Sequence, residues 1–220
     1  MPSYVRSFNA ICNECDKRFE ISHRFCAVVN LDIDGFEKDG FTSGELNRIC
    51  CPHCSTEFTY EIPMIVFSLS MKFACLCIPN LESIDITKIK EPPHLLLPDN
   101  FVFRIVRHQV EAKEKYDIIK SGCGDRVIEY IKLLSFDDSL ALPFDERNIV
   151  FVSKNGDTYR FNQLDYNNSI INSYDIEFNV GQIPDYIINS NISLSGNKWH
   201  KIDRISLKEE IKCQNIKISL

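Results

Sequence analysis

Two C-x-x-C pairs, Cys12-Asn-Glu-Cys15 and Cys51-Pro-His-Cys54, stand 35 residues apart and hold the most specific chemistry in the chain. Two cysteines three positions apart in a tight turn aim both sulfurs at one point, with turn N–H groups directed at the first sulfur. Two such turns supply the four thiolates of a closed tetrahedral zinc site. Pro52 fixes φ just after Cys51 and removes an N–H that would need a partner. The residue after each pair needs a positive φ. Here it is Asp16 and Ser55, where glycine would be easier, so mild strain is expected at the second turn. Each pair runs into a strand-like segment, Lys17–Ile21 and Thr56–Ile62, which is the order of a zinc ribbon. The expected metal ligands are therefore Cys12, Cys15, Cys51 and Cys54, and the expected ion is zinc.

Other chemistry for these cysteines fits less well. A redox C-x-x-C opens a helix after a strand and occurs once, whereas two copies here lead into strands. Disulfides need an oxidising compartment, and residues 1–9 carry Arg6 and lack the apolar core of a signal peptide, so a cytoplasmic location is expected. The six cysteines outside the pairs are then free thiols. Cys50 has the wrong spacing to Cys54 for a knuckle, and Cys75 and Cys77 alternate on one strand face as core residues rather than as a second metal pair. Lys17, Arg18 and Arg48 lie near the knuckles in sequence, where they could offset the −2 charge of four thiolates on a dication.

A catalytic zinc keeps an open position, usually with histidine among three protein ligands. Four cysteines argue for a closed site instead. A zinc enzyme using His53 or His23 in an incomplete shell is the alternative. His108 reads as singly satisfied, His94 lies in a proline loop, and His200 follows Trp199 as a packing pair. The sequence has no Gly-rich phosphate loop, H-E-x-x-H helix or G-x-S-x-G elbow. These features point away from an enzyme and towards a binding or scaffold protein whose partner is another protein. A nucleic-acid ribbon using Lys17, Arg18, Arg24 and Arg48 is the third reading. The net charge of −6 and the lack of a basic tail count against it.

The 220 residues suffice for a sizeable core, with ordinary globular composition at 44% hydrophobic and 25% charged. Phe25–Leu31 reads as a core strand and Asp32–Gly44 as a polar, turn-forming excursion between the knuckles. The apolar run Tyr60–Ile78 is interrupted by Glu61, Pro63 and Lys72, so it does not enter a membrane. It reads as two strands, Phe58–Phe67 and Lys72–Ile78, with Pro63 marking an edge or bulge. Leu81–Asn100 is a proline-containing loop, and Phe101–Arg107 a further strand. A helix over Gln109–Lys120 follows, with Glu111, Lys113, Glu114 and Lys115 on its solvated face. A second helix opens at Asp125 as N-cap and sets Val127, Ile131 and Leu134 on one face. Asn155-Gly156 between extended runs marks a hairpin, Ser173–Val180 a strand, Ile183–Ile188 a short helix, and Trp199 to Ile211 a weakly helical segment.

The ordered set Cys12-x-x-Cys15, Ser43-Gly44-Glu45-Leu46-Asn47, Cys51-Pro-His-Cys54, Phe103-Arg-Ile-Val-Arg107 and Asp125-Arg-Val-Ile-Glu129-Tyr-Ile-Lys132 resembles the bacterial and archaeal CpXC domain over about residues 8 to 135. Ser55 departs from the glycine that the family commonly has there. The resemblance implies a zinc-ribbon-like β core with a helical appendage, carries over the four cysteines alone, and implies no reaction. Asp125, Arg126 and Glu129 recur in that pattern, where a helix cap and a surface ion pair explain them. The expected architecture is α+β: a zinc-ribbon-like antiparallel β core with two helices over residues 1–135, then a strand-rich lobe over 136–220 packed on it.

Overall fold

The computed structural model describes residues 3–85, 88–89, 101–136, 149–165, 168–188, 200–202, 207–209 and 211. The chain opens with a long hairpin. Strands β1 (Ser3–Ile11) and β2 (Arg18–Cys26) pair antiparallel from Ser3↔Cys26 to Ile11↔Arg18, and the first C-x-x-C forms the tip. Strand β3 (Val28–Asn30) follows, so the Phe25–Leu31 segment divides between two sheets after Cys26.

The excursion between the knuckles contains a helix, α1 (Phe36–Ser43), where a turn-forming segment was expected. Lys38 bridges Asp34 at 2.7 Å across one turn, and Phe41 is buried as the anchor. Gly44 ends the helix at φ 81°, with its N–H given to the Phe41 carbonyl. Gly35, Gly40 and Gly44 make this polar segment read as turn-forming, but the missing side chain of Gly40 is a packing device. A Cβ there would come within 3.2 Å of Leu46 Cδ1.

Strands β4 (Arg48–Cys50) and β5 (Glu57–Thr59) pair antiparallel around the second C-x-x-C. Pro63 does more than bulge a strand. It separates β5 from β6 (Met64–Ser68), which belongs to a different sheet. With β7 (Phe73–Cys77) and β8 (Val102–Val106), β6 builds a sheet of order β3-β6-β7-β8. The β6–β7 pairing is antiparallel, while β3–β6 and β7–β8 are parallel. The two knuckle ribbons are thus antiparallel and the sheet beside them is mixed, which the alternation of residue types does not reveal. Asp32 fixes the β6–β7 turn by accepting from the Ser68 and Ser70 hydroxyls and from the Leu69 N–H.

Helices α2 (Gln109–Lys120) and α3 (Asp125–Phe136) follow β8. Gly122, at φ 68°, makes the turn between them. The four-stranded sheet, α1 and α2 enclose one core around Val66, Phe73, Cys75, Cys77 and Tyr116. Strands β9 (Ile149–Asn155), β10 (Thr158–Leu164) and β11 (Ile170–Glu177) form an antiparallel sheet of order β11-β10-β9. The β9–β10 hairpin forms as expected, with Gly156-Asp157 between the paired Asn155 and Thr158. This sheet packs on α3 through a second core that includes Ile128, Ile131, Phe136, Phe151 and Phe161. The architecture is mixed α+β. Residues 185–188 are helical, as are 207–209. Trp199, the prolines at 92, 93 and 98, and most of the 81–100 loop lie outside the described residues.

Candidate metal centre

The two knuckles are built alike. Cys12 N donates to Lys17 O and Asp16 N to Cys12 O; in the second, Cys51 N donates to Thr56 O and Ser55 N to Cys51 O, all at 2.9–3.1 Å. Asp16 and Ser55 adopt φ values of 56° and 61°, the left-handed conformation that the spacing demands at those positions. His53 N lies 3.4 Å from Cys51 Sγ and donates to it. Ser55 thus takes the conformation that glycine adopts more easily, at the position where mild strain was expected.

All four sulfurs of Cys12, Cys15, Cys51 and Cys54 lie within 4.8 Å of one another. Cys12 Sγ is 3.6 Å from Cys54 Sγ, and Cys15 Sγ is 3.8 Å from Cys51 Sγ. A regular tetrahedron with metal–sulfur bonds near 2.3 Å has edges of about 3.8 Å. The donor set and its spacing fit a divalent, thiolate-preferring ion. The cluster has an inner and an outer side. Cys12 and Cys51, the first cysteine of each pair, are fully buried, while Cys15 is partly exposed and Cys54 exposed. Sulfurs this close do not ionise alike. The hydroxyl and N–H of Thr56 draw the Cys54 thiol down to about 6. The Lys17 N–H favours ionisation of Cys15, yet burial and the other three thiols push it up to about 12.

A small core seats the cluster. Ala10, Phe19 and Ile49 surround Cys12 and Cys51, and Phe8, Phe25 and Tyr60 stack with centroids 4.4–5.5 Å apart. Asn47 ties the ribbons together, a role the sequence reading did not assign. Its side chain accepts from Cys26 N at 2.8 Å and donates to Cys26 O at 3.2 Å, clamping the end of β2 to the entry of β4. Its φ of 57° is a conformation for which asparagine is several-fold enriched, the one signal that could have marked it.

The histidines lie elsewhere. His53 and Phe19 form a T-shaped pair with centroids 6.4 Å apart, and His23 packs on Phe25 at 5.0 Å, where burial lowers its pKa. Neither belongs to the sulfur cluster. His108 Nδ1 faces Glu61 at 3.6 Å. His200 makes a one-residue bridge to β8, and His94 lies outside the described residues. Arg48 pairs with Glu57 and Arg24 with Glu37, while Lys17 and Arg18 are exposed. Cys26, Cys75 and Cys77 are core residues, Cys123 packs partly buried, and Cys213 is outside the described residues.

The structure corrects the reading of the helices. Glu114 and Lys115 are not on a solvated face, and Asp125 is not an N-cap with a surface ion pair beside it. Six charged side chains, each at most 5% exposed, form one buried network. Arg104 of β8 donates to Asp125, and Lys115 lies 2.9 Å from Glu129. Lys132 sits 2.6 Å from Glu114 and 3.4 Å from Glu129. Glu114 also accepts from Phe151 N of β9 at 2.6 Å, so the network fastens the C-terminal sheet. Three cations balance three carboxylates. Burial opposes ionisation of Asp125, but Arg104 and Lys115 outweigh it and hold the carboxyl below its usual range; burial raises Glu114. Burial also opposes the charge on Lys132, yet Glu114 and Glu129 keep it above the ordinary lysine range.

The paired knuckle hairpins around one sulfur cluster define a four-cysteine ribbon protein. The family model described as CpXC protein matches residues 10–132, more than half the sequence, and the chain belongs to that family. No curated protein and no solved structure matches it. The match spans both knuckles and ends at Lys132, so β9–β11 lie beyond it and meet it through the Phe151 N–H bond to Glu114 and through the core shared with Ile128 and Ile131.

Proposed function

We propose that Cys12, Cys15, Cys51 and Cys54 hold one structural zinc ion, and that the protein acts as a binding or scaffold protein through contacts with another protein. The observation that carries the metal is the sulfur spacing of 3.6 and 3.8 Å, which matches a tetrahedral thiolate shell. Zinc supplies folding free energy here by cross-linking two ribbons whose own apolar core is small. It draws its ligands into the thiolate form and leaves no protein ligand missing. The nine described cysteines form no disulfide, in keeping with a cytoplasmic setting. No helix among the described residues is long and apolar enough to cross a membrane.

The protein-binding part rests on exposed apolar side chains. Phe36, Ile33 and Leu69 are 52–66% exposed, and the bond from Leu69 N to Asp32 brings the β6–β7 turn to the start of α1. The test has two arms. Metal analysis and cobalt substitution of the purified protein should give one ion per chain in a four-thiolate field; an exchangeable water on cobalt would favour the enzyme reading. Phe36→Asp with Leu69→Asp should leave fold and metal intact while abolishing partner capture; capture that survives would remove this surface from the account.

A further inference from the structure

A cleft of about 320 Å³ opens where α2 meets β9 and β10, with the end of α1 and the β4–β5 ribbon on its other walls. Its volume is at the lower end of the range for small-ligand sites. Phe41, Val150 and Leu164 give it an apolar lining. Gln109, more than nine-tenths buried, also lines it, and its Nε2 has no hydrogen-bond partner. A buried amide donor is ordinarily paired, so this one needs an acceptor from elsewhere.

The charges in the lining indicate what kind of acceptor. Lys113 is held by Asp117 at 2.7 Å, Arg48 by Glu57 at 3.4 Å, and Glu114 by Lys132 at 2.6 Å. Each charged wall residue is thus neutralised. The N-terminus of α2, which would attract an anion, is already occupied, because Gln109 N donates to Glu61 Oε2 at 3.2 Å. The cleft offers no uncompensated positive charge to a phosphate or dicarboxylate. A side-chain amide has one donor group and one acceptor, and it can pair with a second amide through two hydrogen bonds.

We infer that this cleft is a binding site for a small neutral amide, which pairs with the Gln109 side chain and lays an apolar body against Phe41, Val150 and Leu164. Nε2 is covered in the free chain, so the amide turns about its last torsion to meet the ligand. That torsion is broad and two-fold, and a half-turn exchanges Nε2 with the similarly sized Oε1. Peptide-like amides and cyclic imides of the nucleobase type share this chemistry. Its lining includes neither the four cysteines nor Phe36, although the β4–β5 ribbon that flanks Cys51 and Cys54 forms one wall.

The test is a titration of the isotope-labelled, zinc-loaded full chain, observing the side-chain amide signals of Gln109. The probes are N-acetyl-leucinamide and uracil, with inorganic phosphate as the charged control. The account predicts saturable movement of the Gln109 amide pair with at least one neutral probe and none with phosphate. Gln109→Leu should weaken binding about tenfold or more, the loss for a removed amide hydrogen bond. Thr59→Trp, which fills the cleft from the opposite wall, should abolish it. Movement with N-acetyl-leucinamide alone identifies a peptide-like ligand, and with uracil alone a base-like one. Stationary Gln109 signals with both probes would overturn the inference. So would unchanged affinity in a folded Gln109→Leu or Thr59→Trp protein, or binding of phosphate in the cleft.

Discussion

The Asn47 side chain takes both backbone hydrogen bonds of Cys26, accepting from its N–H and donating to its carbonyl. It thereby does what a neighbouring strand would do where the first hairpin ends and the second begins. The two knuckles come from hairpins in separate sheets, so their relative position depends on such ties rather than on a shared ladder. Asn47→Ala should leave two buried backbone groups unpaired. It should lower stability by roughly 1–3 kcal/mol and weaken metal retention against a chelator. Denaturant unfolding and chelator competition read the two effects, and an unchanged result in both would show that the clamp is dispensable.

The buried network makes an asymmetric prediction. Glu114→Ala removes the partner of Lys132 and of Phe151 N together and should cost about 3–5 kcal/mol, because a buried cation is left under-compensated. A double change, Glu114→Leu with Lys132→Met, removes both charges and should recover much of that loss. Equal destabilisation by the single and double variants, measured by urea unfolding, would show that the pairing itself is not what matters.

Asp125 gives the network a pH signature. Arg104 and Lys115 hold its folded-state pKa below the 3.8 it starts from, so in that window the unfolded chain binds more protons. Its stabilising contribution is present above the unfolded value and is lost as pH falls through the folded one. Wild type and Asp125→Asn should therefore differ most near neutral pH and converge on acidification below about pH 4. The thiolate site is common to both proteins and cancels in the difference. A gap that stays constant with pH would contradict the assignment.

Cys75 and Cys77 sit on one face of β7, fully buried within the sheet–helix core, where burial raises both thiols. Cys75→Ala and Cys77→Ala should leave metal stoichiometry unchanged and cost on the order of 1 kcal/mol each for a small lost core group. Loss of metal from either variant would point to a second site.

Much of the metal centre was legible because its geometry is local. A C-x-x-C turn fixes its own hydrogen bonds, and the left-handed φ at Asp16 and Ser55 follows from the spacing alone. Helices α2 and α3 were legible from periodicity, but not what surrounds them. Glu114, Lys115, Glu129 and Lys132 carry the residue types of a solvated helix surface, and only the arrival of Arg104 from β8 and of the β9 backbone makes them core. Helix α1 escaped notice because the polar stretch with Gly35, Gly40 and Gly44 reads as turn-forming, whereas Gly40 is the point where Leu46 lies against the helix. The parallel pairings of β3–β6 and β7–β8 likewise depend on chain paths that side-chain alternation does not encode.

The central claim is a closed four-sulfur zinc site, and X-ray absorption at the zinc edge of the purified full chain tests it most directly. The account predicts one zinc per chain and a single shell of four sulfurs at about 2.3 Å. Cys54→Ser, the most exposed ligand, should lower the sulfur count or release the ion. A nitrogen or oxygen neighbour near 2.0 Å in the wild-type protein, or a chain folded without metal, would contradict it.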